Sequence, residues 1–216
     1  MQKSLEKLIE QAEIVFWDFD GVIKDSVEIK SLAFRELFSG HNQDLVNKIS
    51  LHNERNSGLS RFEKIPLYLS WSDEAVTNQK VQESCSKFSL LVKQSVIDSQ
   101  WVCGFLEFIK RYHKPKKHIL VTATPTKEIK EILQALNIQQ FFHKVYGSPI
   151  SKTDVIKKVM MKNKVDPKHA IMIGDSEGDY KAAKENNVVF FLRSTKLNKD
   201  LHKKCKNWIF KDFTNE

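Results

Sequence analysis

Apolar and polar positions divide the chain into two kinds of territory. Five short apolar runs, at Ile14–Phe19, His118–Ala123, Lys144–Gly147, Ala170–Gly174 and Val188–Leu192, have the length and continuity of buried strands. Between the later runs lie helical patterns, near Thr126–Leu136, Thr153–Lys162 and Asp179–Glu185. Strands alternating with helices predict a parallel sheet covered on both faces. Ahead of the first run, Leu5, Leu8, Ile9 and Ala12 sit at helical spacing and predict an amphipathic leading helix. Residues 26–100 differ: Ile29, Leu32, Ala33 and Leu37 repeat with helical spacing and no strand pattern intervenes. That block is too long for a simple crossover. The expected class is α/β: a Rossmann-like parallel sheet built from residues 1–25 and 101–216, with residues 26–100 as an inserted all-helical unit.

Composition narrows this only a little. The chain has 216 residues, 41% of them apolar and 29% charged, which fits an ordinary globular protein with one sizeable core. No apolar run approaches a bilayer span, and the first residues carry no apolar block of the signal-peptide kind. Cys85, Cys103 and Cys205 match no zinc spacing and read as reduced cytosolic thiols. A cytoplasmic location is therefore expected. The net charge of +8 gathers in Lys110–His118 and Lys196–Lys206. Without an aromatic-interleaved motif it reads as a solvated lysine-rich face, and no nucleic-acid partner is expected. A mild positive field also helps collect anionic substrates.

Four places carry candidate chemistry. In Phe16-Trp17-Asp18-Phe19-Asp20-Gly21-Val22 an apolar strand ends in two carboxylates one residue apart. Turn propensity explains one of them but not an Asp inside the apolar run; ligands of open α/β sheets bind beyond such strand ends. In Ile171-Met172-Ile173-Gly174-Asp175-Ser176-Glu177-Gly178-Asp179 a second strand ends in Gly-Asp, with Asp179 four residues on. Taken alone, Asp175 reads as a helix N-cap. Taken with Asp18 and Asp20, it makes a carboxylate cluster whose repulsion a hard cation such as magnesium would relieve. In Thr122-Ala123-Thr124-Pro125 a strand ends in a hydroxyl, with Thr124 placed to cap a helix beginning at Pro125. In Ser151-Lys152-Thr153-Asp154 a capping box places Lys152 in a helix's first turn, where the dipole disfavours a cation.

In this order the four motifs resemble the haloacid dehalogenase superfamily, over almost the whole chain, in its subfamily with a small helical cap that includes phosphoglycolate phosphatases and β-phosphoglucomutases. The resemblance implies that Asp18 is the nucleophile and Asp20 the general acid and then base. It implies magnesium on Asp18, on the backbone carbonyl of Asp20 and on Asp175. Thr122 and Lys152 would bind the phosphoryl oxygens, with Asp179 orienting Lys152. Residues 26–100 become the cap, hinged at Lys24–Ser26 and near Ser95–Trp101.

Within the cap, Gly58-Leu59-Ser60-Arg61 resembles a substrate-facing loop of capped members, so Gly58, Ser60 and Arg61, with Ala123 of the core, are expected to border the substrate. The same residues also read as an ordinary helix start, with Ser60 as cap and Glu63 as its partner. The activity so implied is magnesium-dependent hydrolysis of a small phosphorylated metabolite, a sugar phosphate or phosphorylated acid, by a monomer or homodimer away from membranes. A phosphomutase of the β-phosphoglucomutase type shares these motifs, but places a histidine in the first cap helix where this sequence offers Lys30. A non-catalytic binding protein on the same fold would be expected to lack one of the core residues, and none is missing.

Overall fold

A computed structural model describes residues 5–114, 116–206 and 208–214. Six strands form one sheet: β1 (Ile14–Trp17), β2 (Lys117–Pro125), β3 (Lys144–Ser148), β4 (Ala170–Gly174), β5 (Val189–Arg193) and β6 (Ile209–Phe210). Their order is β3-β2-β1-β4-β5-β6, and each neighbouring pair is parallel. The five apolar runs are all strands. β6 has two residues, too few to leave a pattern in the sequence. β1 stops at Trp17 rather than Phe19, because Phe19 belongs to a turn in which its carbonyl accepts from the Ile23 and Lys24 N–H groups at 2.8 and 3.2 Å.

Strand periodicity decides which side chain enters which layer. From β1, Val15 and Trp17 face one apolar cluster and Ile14 and Phe16 the other; from β4, Ile171 and Ile173 take the first and Ala170 and Met172 the second. The first cluster takes in α1 (Leu5–Gln11). It also takes in the four helices inserted between β1 and β2: α2 (Val27–Leu37), α3 (Gln43–Arg55), α4 (Arg61–Trp71) and α5 (Asn78–Asp98). The helices α6 (Phe105–Tyr112) and α7 (Thr126–Ala135) complete that side. α8 (Lys152–Asn163), α9 (Glu177–Glu185) and α10 (Lys199–Cys205) cover the other face. Among the described residues no helix is long and apolar enough to cross a membrane.

The inserted helices carry their own start signals. Asn42 accepts from the Leu45 N–H at 2.9 Å, Thr77 from the Lys80 N–H at 3.2 Å, and Ser60 with Glu63 forms a complete capping box. Phe34, Tyr68 and Phe88 meet in their centre, the Phe34–Phe88 centroids 4.2 Å apart. The block joins the sheet domain without hinge strands. α5 runs on to Asp98 because Val92 and Val96 keep a buried stripe facing inward. The crossing is then a single bridge between Lys24 and Trp101, flanked by Asp25 N–H to Gln100 C=O at 2.9 Å and Val102 N–H to Ile23 C=O at 3.0 Å. The buried Lys24 ammonium pins it by donating to the Ile97 carbonyl at 3.0 Å, 4.3 Å from the Trp101 ring.

Beneath β1 a fully buried histidine fixes the packing. The Trp17 indole N–H donates to His118 Nδ1 at 2.9 Å, so Nε2 keeps the proton and donates to the Tyr112 carbonyl at 2.9 Å. Burial pushes His118 down to about 4 from its ordinary 6.5. Its stabilising contribution is therefore present above pH 6.5 and lost as the pH falls toward 4, because the unfolded chain takes up the proton first. The full effect is about 3 kcal/mol. Urea unfolding of wild type and His118→Asn across this window should show wild type losing stability relative to the variant on acidification. A difference that stays constant with pH would contradict the assignment.

Candidate active site

β1 has β2 on one side and β4 on the other, and connections leave it in opposite directions, so a crevice opens at its carboxyl end. Asp18 follows β1, Asp175 follows β4, Thr122 lies near the end of β2 and Lys152 opens α8. All four border one cavity of about 50 Å³, room for a handful of waters, which the inserted helices roof over. Asp20, Lys30, Gly58, Arg61, Lys64 and Ala123 border it too. Ser60 does not; its side chain is engaged in the capping box.

Asp18, Asp175 and Asp179 offer carboxylate oxygens all within 4.8 Å of one another, and all three side chains are buried. Burial and Asp179 push Asp18 up to about 7 against the pull of Lys152. Burial, then Asp18 and Asp179, push Asp175 well above the carboxylate range. Lys152 is the cluster's internal counter-charge. Its Nζ donates to Asp179 Oδ1 at 2.6 Å and forms an ion pair with Asp18 Oδ1 at 2.9 Å. Among the described residues Asp18 Oδ1 is a buried atom that this ion pair serves but no well-formed hydrogen bond reaches. Burial works against the Lys152 charge, but Asp179 and Asp18 outweigh it and hold the ammonium well above its usual range.

The backbone around the cluster is arranged for close approach. Gly21 turns the chain at φ +75°, and a Cβ there would lie 2.1 Å from Asp175 Oδ2. The N-cap of α9 is Ser176, not Asp175. Ser176 and Asp179 form the capping box, so Asp179 serves both helix and lysine while the Asp175 carboxylate stays with the cluster. The expected Thr124 cap is likewise replaced. β2 continues to Pro125, which occupies the cap position of α7 without a side-chain bond. Thr124 Oγ1 instead accepts from Lys30 at 2.6 Å and lies 3.3 Å from Asp20 Oδ2.

Asp20 sits apart from the cluster in its own polar setting. Ser26 Oγ donates to Oδ1 at 2.6 Å, and the Lys30 ammonium of α2 donates to Oδ2. Burial would raise this carboxyl, but Lys30 and Ser26 prevail and hold it below its usual value. Arg61 is also partnered. Both terminal nitrogens donate to the carboxylate of Glu128 on α7, one at 2.9 Å, and the guanidinium stacks 4.6 Å from the Phe88 ring. In this conformation the cation expected to grip substrate is already neutralised, and the helix-start reading of Ser60 and Glu63 is the one the backbone adopts.

The match to known proteins follows this architecture. The sequence model described as haloacid dehalogenase-like hydrolase matches residues 15–192. The chain belongs to that family. No curated protein sequence is significantly similar to it. Solved structures share the fold. A predicted phosphoglycolate phosphatase from Haemophilus somnus superposes with TM-score 0.73 at 18% identity, covering 94% of this chain and 95% of its own. CbbY from Rhodobacter sphaeroides, in complex with xylulose bisphosphate, gives 0.75 at 13% identity over 94% and 95%. A β-phosphoglucomutase from Clostridium difficile gives 0.72 at 18% identity over 94% and 92%.

Two pocket residues had only weak signals in the sequence. Lys30 stands one helical turn after Ser26, the spacing that lets both reach Asp20. Lys64 lies three residues after Arg61, in register with buried Ile65, Tyr68 and Leu69. Helical periodicity alone would have placed it on the inward face of a stretch otherwise notable for its polarity. The Arg61–Glu128 pair is buried, so removing one partner strands the other charge, at a cost of about 3–5 kcal/mol. Arg61→Met or Glu128→Leu alone should lower the urea midpoint strongly, and the double variant should recover most of the loss. Additive losses would mean that the two charges do not depend on each other.

Proposed function

We propose that this chain is a magnesium-dependent phosphatase acting on a small phosphorylated metabolite, a sugar phosphate or phosphorylated acid, through an aspartyl-phosphate. The observation that carries the reading is the convergence of Asp18, Asp175 and Lys152 in one buried cavity with Asp20 beside it. Family membership supports hydrolase chemistry. A relative described in complex with a sugar bisphosphate supports a phosphorylated substrate.

In this reading Asp18 Oδ attacks phosphorus and the bond to the ester oxygen breaks. Asp20 delivers the proton that the leaving oxygen needs. It then takes a proton from water as that water attacks the aspartyl-phosphate, releasing inorganic phosphate and restoring Asp18. While Lys30 is bonded to Asp20, the carboxyl is held ionised. The leaving group entering between them loosens that hold and lets Asp20 carry a proton. Lys152 and Thr122 neutralise and orient the phosphoryl oxygens. Gly58, Arg61 and Ala123 border the remainder of the substrate, Ser60 supports Arg61 from the helix cap, and residues 26–100 act as a cap closing over the core.

The residues fit a hard divalent cation. Three buried carboxylates face one another, no well-formed hydrogen bond reaches Asp18 Oδ1 among the described residues, and every ligand atom on offer is oxygen. Asp18, Asp175 and the backbone carbonyl of Asp20 would hold magnesium, which when bound offsets negative charge on the phosphoryl group. The phosphomutase alternative shares the fold. Facing Asp20 from α2 is Lys30 rather than a histidine, which supports hydrolysis.

An aryl phosphate should be hydrolysed with magnesium and not with chelator, and Asp18→Asn should abolish turnover at unchanged melting temperature. Near wild-type turnover by that variant would sink the mechanism.

Metal binding has its own test. Carboxyls raised in the folded state stabilise it below their unfolded values and lose that contribution as the pH climbs through the folded ones. At roughly pH 8, beyond the Asp18 value, the metal-free protein therefore carries more of the repulsion than at roughly pH 5. Magnesium should raise the melting temperature there more than at roughly pH 5. Asp175→Asn should melt higher than wild type without metal and respond little to its addition. An equal magnesium response in the two proteins would remove Asp175 from the metal site.

A further inference from the structure

Four cations border the cavity: Lys30, Arg61, Lys64 and Lys152. Three have a carboxylate at salt-bridge distance: Asp20 for Lys30, Glu128 for Arg61, and Asp18 with Asp179 for Lys152. Lys64 has none among the described residues, although only 2% of it is exposed. Its ammonium donates to Asn53 Oδ1 at 2.8 Å, and the amide is fixed in that orientation. Asn53 Nδ2 donates to Ser31 Oγ at 2.8 Å, which donates to the Val27 carbonyl at 3.2 Å. The Phe34 ring lies 5.4 Å away, and Lys30, Glu63 and Asp20 act on the ammonium from beyond contact. Burial, then the charge of Lys30, pushes Lys64 down to about 7.

An ammonium buried without a counter-charge is costly, and an apolar side chain of similar length would serve the packing better. The position is nonetheless tightly built. Ser31, Asn53 and Lys64, from α2, α3 and α4, form one hydrogen-bonded row, and all three border the cavity that Asp18 also borders. The missing partner is an anion, and the cavity is where one can arrive. Lys152 already serves the acidic cluster, so a second cation bordering the same cavity addresses a second group of the ligand.

We propose that Lys64, set by Asn53 and Ser31, is a specificity residue that receives a second anionic group of the substrate while its phosphoryl group lies at Asp18. This rests on the phosphatase reading above and narrows its substrate to compact monoesters that carry another acid, a carboxylate or a second phosphate. A neutral sugar phosphate would leave the Lys64 ammonium unpaired.

Non-hydrolysable alkylphosphonates separate this inference from the reading it rests on. Three of equal chain length, ending in a carboxylate, a second phosphonate or a methyl group, are titrated calorimetrically into wild type and Lys64→Met. Wild type should bind at least one acid-ended ligand roughly ten- to a hundredfold more tightly than the methyl-ended one, the value of one hydrogen bond to a charged group. Which acid is preferred identifies the source of the anion. In Lys64→Met the preference should collapse. That variant should melt no lower than wild type, since it removes a buried charge, so misfolding is read separately. Equal affinities in wild type, or a preference that survives in Lys64→Met, overturn the proposal. A Lys64-dependent preference without turnover of the matching phosphate esters would leave the anion site standing and sink the phosphatase reading.

Discussion

Everything about the sheet edge follows from one electrostatic constraint: three carboxylates buried within 4.8 Å of one another, with a single lysine among them. Such a cluster is unfavourable in a low-dielectric setting unless charges are shared or neutralised. The protein divides the problem. Lys152 takes Asp179 outright, with the better hydrogen bond, and Asp179 is further tied to Ser176. Asp18 and Asp175 are left with raised proton affinity, which a divalent cation of the proposed kind would relieve. The glycine at position 21 and the β1 switch point exist at this spot for the same reason, since both let backbone and carboxylates crowd together.

The inserted helices answer the core in charge as well as in shape. Lys30 meets Asp20, Arg61 meets Glu128, Lys93 meets Glu131, and Ser89 donates to Glu128. Gly58 comes so close to the core that a Cβ would sit 2.5 Å from Ser176 Oγ. These ties are unequal. Lys93 and Glu131 are about two-fifths exposed and contribute little. Arg61–Glu128 is buried and is the costly one to break, because separating it strands two charges. Lys30–Asp20 is the tie beside the acidic cluster, and it is there that the leaving group of the proposed reaction would compete.

The sheet was legible because strand ends are abrupt in sequence: Phe16-Trp17-Asp18 and Ile173-Gly174-Asp175 switch from apolar to acidic in one step. The strands and their adjacent helices therefore fall where the pattern puts them. What the pattern could not display is partnership across long separations. Glu128 lies 67 residues from Arg61 and looks like any acidic residue in a helix's first turn. Thr124 reads as a cap from its neighbours, yet its hydroxyl is drawn to Lys30, 94 residues away. The crossing lies within the expected spans, at Lys24 and Trp101, but as a single bridge rather than two strands, because α5 runs on to Asp98 with its apolar stripe facing inward.

The three inserted cations therefore have different reasons to be there. Arg61 is neutral as a pair, so it joins two parts of the molecule and leaves no net field in the cavity. Lys30 is neutralised by Asp20, a group whose proton occupancy must change during the proposed reaction, so its charge is exposed only transiently. Lys64 has no carboxylate at salt-bridge distance among the described residues, and Glu63 and Asp20 act on it only from farther off. The inserted side of the cavity thus offers Lys64, and the core side the acids around Lys152. Under the proposed function, a ligand satisfying both would present its phosphoryl end to the sheet and a separate anion to the helices. Orientation inside the cavity then follows from charge before any contact with sugar hydroxyls or carbon atoms is made.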